Sequence, residues 1–301
     1  MCTHSDESDE AAPGSSSLSQ QPPKKQSTSS TKRFFRYVAK KFGKAYEPRY
    51  GYFPTDEKED DRNAKLNPQA TVIGVDVEPV RPRTATPRNC QFLLMDVTKD
   101  WSGVFPEGDE KGRGFDLIHV RMMGDLLANT DELMRSVHAH LNPGGWAEFT
   151  EWVVVIETPD RSCEGGAFMR WNRLLRQGLR RMGSSVYYPL MYKDRLLDAG
   201  FTNVAEVKNA APNNACYPGK RMQRIGNRMV RNWLLVLDPV SVPVFHVLGW
   251  SQTALDLLLD EVKKEIVDTQ NHSYTTLLTV YCQKPLVGGS LASSKIESIH
   301  S

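Results

Sequence analysis

Short apolar runs, each closed by an acid or a chain breaker, set the pattern of the middle of this chain. Thr71-Val-Ile-Gly-Val75 runs into Asp76, and Gln91-Phe-Leu-Leu94 runs into Met95 and Asp96. Phe115-Asp-Leu-Ile-His-Val-Arg121 is the third run. Between the first two lie Pro79, Pro82 and Pro87, which do not fit inside a central strand. Apolar runs this short, bounded this way, predict strands buried on both faces, hence a parallel sheet with helices outside. An acid at the C-terminal tip of such a strand points into the crevice where open α/β sheets bind ligands. A carboxylate there can accept both hydroxyls of a ribose. A single such acid reads more simply as the opening of a turn, but two at successive strand ends point to a nucleoside site.

The pattern then switches to helical spacing. Gly124 to Leu141 carries Leu126, Leu127, Leu133, Met134 and Val137, and Asn142-Pro-Gly-Gly145 stops it. Trp146 to Ile156 is predicted as a long strand. Ala167 to Met182 is predicted as a helix with Phe168, Trp171, Leu174, Leu175 and Leu179 on one side and arginines, read as a solvated face, on the other. Tyr188 to Ala199 forms another helix, closed by Gly200. Phe201 to Val207 is a strand, Lys220 to Leu237 a helix, and Ser251 caps a helix that runs to Asp268. Tyr274 to Gln283 is the last strand.

The flanks are of a different composition. Residues 1–31 are rich in Ser, Gln, Pro and acids and cannot bury enough surface to offset ordering entropy, so they are expected to be a disordered, dispensable tail. Residues 32–62 form an N-terminal segment with Phe34, Phe35, Tyr37, Val38 and Phe42 at helical spacing, and a second helix start at Pro54 and Thr55 followed by acids. Residues 63–287 are the main domain, and 288–301 a polar tail. The net charge is +2 in 301 residues, which makes no general case for nucleic acid or a membrane as partner. The five cysteines are scattered, with no Cys/His cluster, so no metal site or disulfide framework is expected. Free thiols and the lack of an apolar leader suggest an intracellular protein, cytoplasmic or nuclear.

Several ordered motifs carry more than periodicity. Gly74-Val-Asp-Val-Glu-Pro79, Asp96-Val97, Asp100-Trp101, Phe115 to Arg121 and Leu141-Asn-Pro-Gly-Gly-Trp-Ala-Glu148 resemble the core of class I S-adenosylmethionine-dependent methyltransferases, in the spelling of the LaeA-like family of fungal secondary metabolism. Tyr52 to Arg62, Leu248-Gly-Trp-Ser251, His272-Ser-Tyr274 and Gln283-Lys-Pro285 resemble that family's flanking segments. The resemblance spans about residues 44–285. It implies an α/β fold, a Rossmann-like class I methyltransferase sheet with helices on both faces. It also implies S-adenosylmethionine as cofactor, held by Asp76, Val77, Asp96, Val97 and Val120, and a small-molecule or protein methyl acceptor.

One block of the family pattern is absent. A strand, a glycine-rich loop and a first helix normally precede the Gly-x-Asp strand, and only eight residues separate Arg62 from Thr71. A strand–turn–helix unit takes on the order of 30. The missing strand is the middle one of the family's sheet, so its two neighbours must pair with each other or lose partners. The missing loop is the part that approaches the methionine end of the cofactor. His119 is the candidate general base, with a packing role as the plainer reading, and Arg121 is expected to pair with Asp96 or Glu148. A non-catalytic, methyltransferase-like regulatory partner is the second reading. A nicotinamide dehydrogenase is the third and ranks lowest, since no G-x-G-x-x-G occurs.

Overall fold

In the computed structural model, residues 68–76, 86–101, 103–104, 114–123 and 130–286 are described. The two tails, the N-terminal segment, Val77, Pro79, Pro82 and the start of the helix expected from Gly124 lie outside them. The described chain divides into two compact units. One holds the first three strands and residues 130–153, 187–209 and 277–286. The other holds residues 154–186 and 210–276.

In the first unit, β1 (Val72–Asp76) pairs in parallel with β2 (Cys90–Leu94), in the register Gly74↔Phe92 and Asp76↔Leu94. β3 (Phe115–Arg121) pairs in parallel with β4 (Leu141–Glu157), with His119 opposite Glu148. With β5 (Thr202–Pro212) and β6 (Tyr274–Gln283) they form a four-stranded sheet in the order β3-β4-β6-β5. The two sheets are separate: β1 and β3 do not pair with each other. The break falls where the family pattern has its middle strand.

The strands are parallel as expected, but burial on both faces is not what the structure shows. Of β1 only Gly74 is buried, Leu94 is 67% exposed, and Leu117 in β3 is 61% exposed. A parallel strand is buried only when it has neighbours on both edges and cover on both faces. Among the described residues β1 and β3 each pair along one edge.

The four-stranded sheet buries alternate residues. Ala147, Phe149 and Val153 of β4 and Leu278, Val280 and Cys282 of β6 lie in the core. Leu133, Met134 and Val137 of α1 (Thr130–His140) are buried too, as is Leu196 of α3 (Tyr192–Asp198). Phe149 meets Tyr192 of α3 at 5.9 Å between ring centroids. Burial pushes the Cys282 thiol up to about 12, so it acts as a packing group. Alternate positions on the opposite side, Leu117, Trp146 and Tyr281, are exposed.

The helix stop after α1 is tied to the last strand. Asn142 to Gly145 do not form a free turn; they enter β4 as an irregularity, between the Phe115↔Leu141 and Leu117↔Trp146 pairs. Gly144 donates to Lys284 O and Lys284 N to Gly145 O, both at 2.9 Å. Lys284 Nζ donates to Leu141 O at 2.7 Å and to Ala139 O at 3.2 Å, a cation at the negative end of the helix.

In the second unit α2 (Ala167–Arg181), α4 (Lys220–Val247) and α5 (Gln252–Val267) pack around Phe168, Trp171 and Trp233, with centroids 5.3–5.8 Å apart. Trp171 donates to Ser241 Oγ at 2.8 Å, and Trp233 to Asn213 Oδ1 at 3.0 Å. α4 runs ten residues past the end that the sequence predicts, through Pro239 and Pro243. Each proline removes one backbone bond, and the burial of Leu237, Val242, Val244 and Phe245 outweighs that loss. The His272-Ser-Tyr274 motif is a clasp. His272 Nδ1 contacts Asp160, His272 N donates to Ser162 Oγ at 2.8 Å, and Tyr274 donates to Glu157 Oε2 at 2.8 Å. The Ser162 and His272 hydrogen bonds hold the Asp160 carboxyl well below the ordinary carboxylate range.

Gly166, at the N-cap of α2, offers no side-chain cap. Glu265 of α5 does this instead, accepting from Ala167 N at 2.7 Å and Phe168 N at 2.8 Å. A carboxylate on two orphan helix N–H groups satisfies them and suits the helix dipole. Replacing Glu265 by Ala is expected to lower stability by ~1–2 kcal/mol in denaturant unfolding. An unchanged midpoint would mean that water replaces the cap without loss.

Candidate functional site

Two pairs of neighbouring strands position the polar groups of the first unit. Asp76 ends β1 and Asp96 lies two residues past the end of β2, at the same edge of that sheet, because the two strands are parallel and in register. The connection is close: Met95 N donates to Asp76 O at 2.8 Å. Asp96 is shaped by its own turn. Its Oδ1 accepts from Thr98 N at 3.2 Å and Thr98 Oγ1 at 2.6 Å, and Lys99 Nζ lies 3.8 Å from Oδ2. Val97 O accepts from the Trp101 indole at 2.9 Å. These bonds hold the Asp96 carboxylate and the Val97 carbonyl in one local turn.

The second group stands at the C-terminal part of β3 and the facing middle of β4. His119 Nδ1 is 3.5 Å from Glu148 Oε2, as their register dictates. Thr150 Oγ1 donates to Glu148 Oε1 at 3.2 Å and lies 3.1 Å from Thr279 Oγ1 of β6. The hydrogen bond from His119 holds the Glu148 carboxyl below its ordinary 4.5. Burial opposes this, while Thr150 and the Arg121 charge add to it. Arg121 therefore acts on Glu148 through charge, with His119 as the contact. Val120 is half-buried between them in β3.

The chain leaves β3 by a left-handed residue, Met122 at φ 50°, whose N–H donates to Thr150 O at 2.9 Å. Such a conformation is unusual for a side chain of this size and gathers at functional sites. Nothing in the sequence announces it. Thr150 and Thr279 are likewise invisible to pattern reading, because their meeting depends on which strands neighbour each other. The register of β3 with β4 was the one signal that pairs His119 with Glu148.

The donor set suits one half of S-adenosylmethionine better than the other. Two carboxylates at adjacent strand tips, one held by Thr98 and followed by a carbonyl held by Trp101, suit the adenosine half. No glycine-rich loop precedes β1 in the sequence, so the methionine half has no cradle of that kind. No group of three or more His, Cys, Asp or Glu among the described residues is arranged to hold a metal ion.

Glu148 has a depressed pKa in the fold, so its contribution to stability is present above its unfolded value, near 4.5, and is lost as pH falls through the folded value below that. Replacing His119 by Ala should raise the Glu148 pKa towards 4.5, read from its carboxyl carbon shift in an NMR titration. An unmoved value would show that the imidazole is not what lowers it.

A family model described as a methyltransferase domain matches residues 62–206. The secondary metabolism regulator laeA of Aspergillus fumigatus is 29% identical over 225 residues, covering 74% of this chain and 58% of that protein. The methyltransferase pytC of Aspergillus terreus is 27% identical over 216 residues, covering 71% of this chain and 64% of that protein. The chain thus spans less than two thirds of the length of these relatives. Among solved structures, a phosphoethanolamine N-methyltransferase 2 of Haemonchus contortus, in complex with phosphomonomethylethanolamine and S-adenosylhomocysteine, gives a TM-score of 0.39. It is 14% identical and covers 74% of this chain and 46% of that one. No helix of the described residues is long and apolar enough to cross a membrane.

Proposed function

We propose, for a chain that belongs to the LaeA-like class I methyltransferase family, an S-adenosylmethionine-dependent methyltransferase-like function in fungal secondary metabolism, with cofactor contacts concentrated at the adenosine end. The observation that supports this most is the placing of Asp76 and Asp96 at one edge of the paired strands β1 and β2. In this reading Asp76 holds the ribose hydroxyls and the Asp96-Val97 pair takes the adenine, with Val120 and Val77, which lies outside the described residues, added by the family resemblance. When bound, S-adenosylmethionine supplies a methyl group on a sulfonium, which is already a good leaving group. The chain's own work is then positioning the acceptor and removing its proton. With His119 Nδ1 turned to Glu148, Nε2 is the atom left to take that proton. The acceptor is a small molecule or a protein.

A second reading, a non-catalytic regulatory partner, is favoured by one specific feature: the sheet is interrupted between β1 and β3. Without the glycine loop the charged amino-acid end of the cofactor loses donors worth ~1.5–3 kcal/mol each, so two of them weaken binding roughly a hundredfold or more.

Calorimetric titration of the 301-residue chain separates these readings. The proposal expects measurable binding of S-adenosylmethionine, no tighter than that of adenosine by more than about tenfold, and loss of both on Asp76→Ala. Binding of neither ligand by the folded chain would leave the partner reading. Tight cofactor binding that survives Asp76→Ala would place the site elsewhere.

A further inference from the structure

The second unit carries a charged surface that the cofactor site does not use. Lys220, Gln223, Arg224, Asn227, Arg228 and Arg231 of α4 recur at spacings of three and four, so they share one helix face, and they line one open groove. All six are exposed. The opposite face, with Gly226, Met229 and Trp233, is buried in the helix packing. A Cβ on Gly226 would lie 1.9 Å from Asn214 O, so the buried side is fixed tightly and the cationic side must face outward.

This face differs from an ordinary solvated one in three ways. First, the helix has five cations and no acid from Lys220 to Leu237. Its first acid, Asp238, is held by Lys263 of α5 at 3.1 Å. Second, the first turn carries Lys220 and Arg221 and no acid, the sign that the helix dipole disfavours. By contrast Arg170 of the equally basic α2 lies over the Trp250 ring at 5.7 Å. Third, the cationic stripe continues, at the same spacing, into Leu234 and Leu235, which are 39% and 41% exposed. The whole stripe is about 24 Å long.

From this surface we infer that α4 is a docking site for an acidic segment of a partner protein, one that carries carboxylates along most of its length and apolar residues at one end. The cations and the amide side chains of Gln223 and Asn227 meet the carboxylates, and Leu234 and Leu235 meet the apolar end. Charge alone would serve a nucleic acid equally well. The two leucines decide for a peptide, because a phosphate backbone has no apolar end to place on them. The inference stands apart from the reading of Asp76 and Asp96, and either can fail without the other.

The test is fluorescence anisotropy with the full chain and a labelled peptide of about 16 residues, glutamate at every third or fourth position and two leucines at one end. Arg224→Glu/Arg228→Glu should weaken binding by about tenfold or more, and Arg224→Gln/Arg228→Gln by less. Arg181→Glu/Lys264→Glu, the same charge change on exposed positions of α2 and α5, should change it by no more than about twofold. Removing the peptide leucines should cost a further loss that Leu234→Ser/Leu235→Ser reproduces. Thermal unfolding of each variant identifies any that fails to fold, and the neutral Gln pair then carries the comparison. Equal losses in both charge-reversal pairs, tighter binding of a duplex DNA of similar length, or no binding of the peptide would each overturn the inference.

Discussion

Strand pairing across the middle of a sheet normally ties one half of an α/β domain to the other, and here it is missing among the described residues. β1 pairs only with β2, and β3 only with β4. Backbone N–H and C=O groups are obligatory hydrogen-bonding groups, so a strand with one ladder leaves the groups of its other edge to partners outside the sheet. Much of the first unit follows from this. Val72, Ile73 and Val75 stay half-buried, Leu94 and Leu117 are exposed, and each candidate pair is fixed inside its own sheet. Asp76 and Asp96 are set by the β1–β2 register, and His119 and Glu148 by that of β3 and β4. The strand-end carboxylates and the His119–Glu148 pair thus rest on separate ladders.

Away from that break the family-like motifs have structural duties that can be named. The turn after α1 and the segment Gln283-Lys284 hold each other, with Gln283 Nε2 on Gly144 O at 2.7 Å and Lys284 Nζ on the carbonyls of Ala139 and Leu141 where the helix ends. His272-Ser-Tyr274 fastens the loop that carries Asp160 and Ser162 and the end of β4 at Glu157. Asn213 bonds to Trp233, Ser273 and Thr275 together, a buried amide with its partners satisfied. None of these groups touches the candidate site, and their part is to hold each unit's own packing.

Helices and strands were legible wherever local rules decide them. Ser251 caps α5 by accepting from Ala254 N at 3.2 Å, Gly200 follows α3 at φ 91°, and β6 has the bounds its alternation predicts. The pattern misled where tertiary packing outvotes it. The helix expected to end at Leu237 runs on through Pro239 and Pro243, and Asn142 to Gly145 read as a helix stop and enter β4 beside Lys284. The strand-end acids were legible because they depend only on the strand ending. Thr98, Thr150, Thr279 and the left-handed Met122 were not, because each depends on a neighbour supplied by another strand or turn.

Native-state hydrogen exchange of the full chain tests the two-ladder account most directly. Amides of β4 and β6, in the middle of the four-stranded sheet, should exchange only with global unfolding. Those of β1 and β2 should exchange by a local opening, faster by roughly a hundredfold or more and with little sensitivity to denaturant. Equal protection of β1 and β4, lost together at one denaturant concentration, would show a single continuous sheet and contradict the account.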